Sequence, residues 1–381
     1  MIRINFFGDF RICDVSRLRF GDELQTLLNA GDINLLNFEA PIFVEGAEKV
    51  SKSGPNLYQD QNAPKALQDF GFNVISLANN HMLDYGEVAA CETISSFDKA
   101  ITLGCGKWED AFRVKVIEID GIRIGFLAIT QHEFGAFSDQ FYEDDNYGTA
   151  SMSHPVVDEL ILESREKVDY LFIIPHAGME HCIQPWPQLV TLYRHFINMG
   201  ASGVIGGHPH VPQPWEIYKD CPIFYSLGNF CFELASSTGN EPNDWYNSLV
   251  ASLTIRGGAV SVDLHWAYYD NKAHLVNLCD GDKNHIAYME QVCADFRDKS
   301  KYKSIINNHA KSMAASYDYS FSENGFFKFG LSRYMRLLLS YCYRKLPGKQ
   351  KRQFDSSHLL NDFQCEVHRW TIWHLLRNKD F

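Results

Sequence analysis

Five short apolar runs in this chain each end in residues that can hold a metal or move a proton. Gly8-Asp9 follows Ile2 to Phe7, Asn37-Phe38-Glu39 follows Ile33 to Leu36, and Asn79-Asn80-His81 follows Val74 to Leu77. Pro175-His176 follows Val168 to Ile174, and Gly206-Gly207-His208-Pro209-His210 follows Val204-Ile205. Carboxylate, amide oxygen and imidazole together suit a borderline divalent ion such as Zn, Mn or Fe. Two such ions, about 3.5–4 Å apart and bridged by a carboxylate, can clamp the attacking and leaving oxygens of a displacement. Taken singly, each residue has a plainer reading. Asp9 suits a turn or helix cap, Asn79-Asn80 suits a turn, and a lone histidine is commonly a satisfied structural group. The pair His208 and His210 after a Gly-Gly turn, and the shared placement of all five clusters, favour the metal reading.

That placement presupposes strands whose ends converge. Helical stretches around Asp22 to Asn29, Ala63 to Phe70, Glu87 to Ala100 and Gln188 to Met199 separate the runs. Strands alternating with helices predict an α/β domain on a mainly parallel sheet, and ligands in such sheets gather at the carboxyl ends of strands. A second strand group interrupts the alternation. Val114 to Ile119 and Ile122 to Ala128 read as a hairpin around Asp120-Gly121. Ile223 to Leu227, Leu249 to Ile255 and Val260 to Trp266 add further strands, the last two joined at Gly257-Gly258. Residues 131 to 153 read as a long loop near the site. From about Asn284 the pattern turns helical, with a break at Pro347-Gly348, so the expected division is a domain over 1–283 and a helical extension over 284–381.

Composition narrows the function classes. The 381 residues are 45% hydrophobic and 22% charged, the balance of a globular protein. A net charge of -12 argues against a general nucleic-acid binder. Lys328 to Arg352 holds eight Lys or Arg and no Asp or Glu, leaving about -20 on the rest. Ten cysteines without a CxxC pair read as reduced thiols. With no signal peptide at the start and no run of the ~18 apolar residues that a span requires, the expectation is a cytoplasmic protein. There is no Gly-x-Ser-x-Gly elbow and no Walker loop. Gly104-Cys105-Gly106 reads as an exposed cysteine without a partner pattern for a nucleophile.

The motifs also carry a resemblance. Gly8-Asp9, Asn37-Phe38-Glu39, Ala78 to Gly86, His176-Ala177-Gly178-Met179-Glu180, Gly207 to Val211 and Tyr225-Ser226-Leu227-Gly228-Asn229-Phe230 resemble the successive signatures of CapA proteins of poly-γ-glutamate capsule biosynthesis, in order over roughly residues 1 to 265. That family is similar to calcineurin-like metallophosphoesterases. The resemblance implies a four-layer α/β/β/α sandwich followed by the helical extension. It implies one or two divalent ions, with Glu39 bridging, Asn80, His176 and His208 completing one position, and Asp9 and His210 helping to hold the other. His81 would donate a proton to the leaving group with Asp84 orienting it. The nucleophile would be a water whose pKa the ion lowers.

The chain departs from that pattern in three places. Arg11 stands where phosphoesterases commonly place a histidine, and two readings are open there: an anion-binding group or an ion pair with a nearby acid. Ala177 replaces an aromatic residue. His181 stands where the family usually has another aromatic, and two readings are open there as well: an added proton donor or no catalytic part. In the extension, Leu331 to Arg344 reads as a basic amphipathic helix that either packs its apolar face on the protein or lies on an anionic membrane surface. The helix bearing Trp370, Ile372, Trp373, Leu375 and Leu376 reads as docked or as a dimer contact. The expected function is a metal-dependent, phosphoesterase-like hydrolase acting on a capsule polymer or its precursor, with no nucleic-acid partner. Metal-dependent epimerisation of a peptide or amino-acid-derived substrate, and a non-catalytic polymer-binding scaffold, are the alternatives.

Overall fold

The computed structural model describes residues 1–137, 146–234, 244–323 and 361–378. Its layers follow from the alternation along single strands. In Ile33–Phe38, Ile33 and Leu35 face one way and Leu36 and Phe38 the other, because successive strand side chains point to opposite faces. Ile33 and Leu35 join Phe126, Phe172, Ile174, Ile205 and Phe224 in a core between two sheets. Leu36 and Phe38 join Leu24, Leu28, Leu67 and Ala90, which come from the helices Asp22–Ala30, Ala63–Phe70 and Gly86–Ser96.

Among the described residues the first sheet has nine strands. Ile2–Arg11, Ile33–Phe38, Val74–Ser76 and Ile101–Leu103 pair in parallel. Asn247–Arg256 and Ala259–Asp270 extend the sheet antiparallel on the other side of Ile2–Arg11, followed by Leu275–Leu278 and Arg19–Phe20, while Asn229–Phe232 pairs with the end of Ile2–Arg11. The second sheet runs Trp215–Tyr218, Cys221–Phe224, Gly203–Ile205, Tyr170–His176, Ile122–Thr130, Lys115–Ile119. Its outer side is covered by Val156–Ser164 and Pro187–Met199, where Tyr193 stacks on Tyr225 with ring centres 5.6 Å apart. Helix, sheet, sheet and helix give the expected four layers. Both hairpins form where Asp-Gly and Gly-Gly were read: Asp120, Gly121, Gly257 and Gly258 all have positive φ, the conformation that two-residue hairpin turns require.

One irregularity prepares the site. Ile2, Ile4 and Phe6 face the core between the sheets, yet Phe7, Phe10 and Ile12 face the helices. The register against Ile33–Phe38 shifts between Phe6 and Asp9, and a bulge of this kind re-aims the side chains beyond it. Only glycine fits at its centre, since a Cβ on Gly8 would lie 1.9 Å from the Gly228 carbonyl oxygen. Asp9 is thereby turned toward the ends of the second sheet.

The chain divides into two compact units, Met1–Val50 with Gly54–Ile306 and Ser51–Ser53 with Asn307–Phe381. The helix Lys283–Arg297 belongs to the first, burying Met289, Val292 and Cys293. In the second, His374 Nε2 lies 2.7 Å from Asn307 Oδ1. There the helix Glu366–Asn378 buries Thr371 and Leu375 and exposes Trp373 and Leu376. The expected basic helix Leu331 to Arg344 and the break at Pro347-Gly348 lie outside the described residues. Among the described residues no helix is long and apolar enough to cross a membrane, and the nine cysteines form no disulfide. Cys105 is buried, contrary to the expectation of exposure, and burial pushes its thiol up to about 12.

Candidate metal centre

Six strand-end residues meet in one buried cluster. His176 ends its strand, and Nε2 of its ring lies 3.2 Å from Asn80 Oδ1 and 3.1 Å from His208 Nδ1. Glu39 Oε1 lies 3.7 Å from the same His176 nitrogen and 3.7 Å from His210 Nε2. Asp9, Glu39 and His210 each offer one atom within 4.8 Å of the others. Glu39 therefore stands between two donor sets, Asn80, His176 and His208 on one side and Asp9 and His210 on the other.

Neighbouring side chains hold these groups in place. Asn37 Nδ2 donates to Asp9 Oδ1 at 2.8 Å and, more weakly, to Glu39 Oε2 at 3.4 Å. Asn79 Nδ2 donates to Asn37 Oδ1 and to the Phe38 carbonyl. The His208 backbone N–H donates to Asp9 Oδ2 at 3.0 Å. Gln131 takes the Gly178 N–H on its oxygen and places its nitrogen 3.0 Å from His208 Nε2. His210 Nδ1 lies 2.9 Å from Asn229 Oδ1.

Burial sets the electrostatics. Glu39 is fully buried, and that burial, with Asp9 beside it, pushes its pKa well above the ordinary 4.5. For Asp9 burial also pushes upward, but the hydrogen bond and charge of His176 and the charge of His210 outweigh it, leaving about 2. Burial and the neighbouring His176 hold His208 well below its ordinary value, which favours the neutral imidazole that ligates metals. The backbone is strained as well. His208, His210 and Ala40 have φ of 94°, 59° and 99°, a region costing about 1–3 kcal/mol for non-glycine residues and concentrated at functional sites.

These residues fit a divalent ion. Glu39 Oε1 is buried without a hydrogen-bond partner, which is costly unless something else satisfies it. Zinc–nitrogen distances of about 2.0–2.1 Å put tetrahedral donors about 3.4 Å apart, close to the spacing of the Asn80, His176 and His208 atoms. The cluster borders a cavity of about 20 Å³ lined by Asp9, Asn37, His176 and Gly207. A larger cavity of about 430 Å³ lies elsewhere, walled by Trp215, Leu264 and Trp266 together with His265, Asp280 and His285; among the described residues its His, Cys, Asp and Glu side chains form no group of three close enough to hold an ion, so the chemistry is assigned to the strand ends.

The remaining candidates separate. His81 follows Asn80, and its Nδ1 lies 2.7 Å from Asp84 Oδ2, which also accepts the Leu57 N–H at 2.6 Å. His181 is half-exposed at the edge, with its ring 6.3 Å from that of His210 and 5.7 Å from Trp245. Arg11 is held by backbone carbonyls. It is buried and donates to the Tyr58 and Glu233 carbonyls, so it ties two loops together. Asn37, Asn79, Gln131 and Asn229 had no assigned role from the sequence. Three of them sit inside the motifs already quoted. Gln131 directly follows Ile122–Thr130, a sixth strand end to which the same rule applied.

Residues 17–234 match the family model described as bacterial capsule synthesis protein PGA_cap. The capsule biosynthesis protein CapA of Bacillus anthracis is 31% identical over 207 residues, 52% of this chain and 49% of that protein. The PGA biosynthesis protein CapA of Bacillus subtilis (strain 168) is 27% identical over 248 residues, 64% of each. The match thus spans about half of the first relative and under two thirds of the second. Among solved structures, the 5'-nucleotidase of Candida albicans SC5314 aligns with a TM-score of 0.41 at 11% identity, covering 80% of this chain and 56% of that one. Since the family model covers more than half of the 381 residues and every cluster residue except Asp9, the chain belongs to the PGA_cap family of bacterial capsule synthesis proteins.

Proposed function

We propose that this protein is a metal-dependent, phosphoesterase-like hydrolase that acts on a capsule polymer or its precursor. The observation carrying the reading is Glu39, a buried carboxylate with an unpartnered oxygen 3.7 Å from a nitrogen of both His176 and His210. Asn80, His176 and His208 would hold one divalent ion, Asp9 and His210 a second, with Glu39 shared. Bound there, such ions polarise an ester oxygen and lower the pKa of a water to near neutrality. The chain's own residues supply the rest. Asn37 restrains both carboxylates, and Asp84 orients His81 through Nδ1, so that a proton passed to a leaving oxygen would travel through Nε2. His181, half-exposed beside His210, stands where it can meet substrate. The polymer assignment rests on the names of the two Bacillus relatives.

The test is turnover of a panel of phosphomonoesters, phosphodiesters, γ-linked glutamyl peptides and glycans by protein loaded with Mn, Zn or Fe. Hydrolysis abolished by chelation and restored by the ion supports the proposal. Solvent deuterium entering recovered substrate without cleavage would replace hydrolysis with epimerisation. A loaded protein that binds polymer and turns over nothing would make it a scaffold.

A further inference from the structure

The two halves of the cluster are fixed by different devices, and the half around His210 shows its hydrogen positions. Asn229 is buried, and its Nδ2 donates to the Trp245 carbonyl at 3.0 Å. A carbonyl only accepts, so the amide orientation is settled and Oδ1 is the atom facing His210. That oxygen is 2.9 Å from His210 Nδ1 and can only accept in turn. In the neutral ring the hydrogen therefore sits on Nδ1 and the lone pair on Nε2. Nε2 is the atom that faces Glu39 Oε1.

The rest of the surroundings hold this arrangement. Asn229 is in register with Asp9 across the bulged pairing, and the Asp9 N–H donates to the Gly228 carbonyl at 2.9 Å. The His210 ring is flanked by Phe232 and Trp245, with centres 4.7 and 5.1 Å away. One short segment thus holds the His210 ring and the Asp9 backbone.

We propose that Asn229 is a positioning residue that presets the ring tautomer of His210 and thereby governs occupancy of the Asp9–His210 metal position, independently of the position formed by Asn80, His176 and His208. This inference rests on the metal-centre reading. Partners that donate or accept at the far nitrogen of a ligating imidazole typically change metal affinity about 10–100-fold when removed.

The first test needs no variant. Nitrogen-15 histidine spectra of the metal-free protein at mildly alkaline pH should show His210 with its hydrogen on Nδ1, whereas the Nε2–H form would overturn the proposal. Asn229→Leu should shift His210 toward Nε2–H. After reconstitution it should bind one equivalent of Mn or Zn about 10–100-fold more weakly than wild type, the other equivalent being unchanged. Asn229→Asp, which keeps the acceptor facing His210 but loses the donor to the Trp245 carbonyl, should restore the Nδ1–H form and recover part of the lost affinity. Two equally tight equivalents in Asn229→Leu would overturn the inference and leave the metal centre standing. Wild type that takes up no ion would remove the centre and this proposal together.

Discussion

The space between the two sheets and the rim just beyond it are built from the same strands, and they answer to opposite rules. Inside, Phe6, Phe126 and Phe172 pack with centroid separations of 5.5 to 6.4 Å, an apolar interior that stabilises by leaving water. Within a few residues, the ends of these strands and the turns after them deliver Asp9, Glu39, Asn80, His176, His208 and His210. There a carboxylate is buried with an unpartnered oxygen and two histidines hold left-handed backbone. Such features cost stability and persist where the surrounding fold over-determines them. The core therefore supplies the rigidity, and the rim converts it into a fixed array of donors. Substitutions in the two regions should separate cleanly into effects on rate and effects on stability.

The largest separation is expected at His81. His81→Ala should lower turnover about 100- to 10,000-fold, the usual contribution of a general acid, while metal content per folded molecule stays near wild type. A parallel loss of metal would place His81 among the ligands. Phe172→Ala makes the opposite change. It should reduce unfolding free energy by about 3–5 kcal/mol, measured by denaturant titration, with metal per folded molecule unchanged.

A smaller effect tests whether the rim is destabilising by itself. The folded-state pKa of Glu39 is raised above its ordinary 4.5, so the metal-free fold favours its protonated form. Its contribution is present below about pH 4.5 and is lost as pH rises through the folded value. Asp9 behaves oppositely, since its pKa is lowered from 3.8 to about 2. Its stabilisation is present above 3.8 and disappears as pH falls toward 2. Chelator-stripped wild type should therefore lose stability above about pH 4.5. Glu39→Gln should flatten that decline and be about 1–3 kcal/mol more stable at neutral pH, the scale of one unsatisfied buried polar group. An unchanged pH profile would mean that Glu39 is satisfied without an ion.

Much of this was legible in the sequence because strand ends are local signals. Each apolar run gave its strand, Asp-Gly and Gly-Gly gave the hairpin turns, and the polar residue after each run gave a cluster member. What was hidden was relational. Nothing local shows that a bulge at Gly8 changes which face Asp9 occupies, because the reason is a carbonyl 220 residues away, at Gly228. The partners of Arg11 were hidden for the same cause: the carbonyls of Tyr58 and Glu233 that bind it come from distant segments. Asn229 and Gln131 were visible as residues, but their role depends on which nitrogen of a histidine they face. Cys105 looked exposed between two glycines, yet it pairs with Thr149 in a short strand and is buried.

The central claim is that the rim is a metal centre organised around Glu39. Elemental analysis of the purified protein after reconstitution, beside a Glu39→Ala control of verified fold, tests it most directly. The wild type should hold one or two equivalents of Mn, Fe or Zn, and the control should lose the bound metal. A wild type without metal, or a control that keeps its full complement, would contradict it.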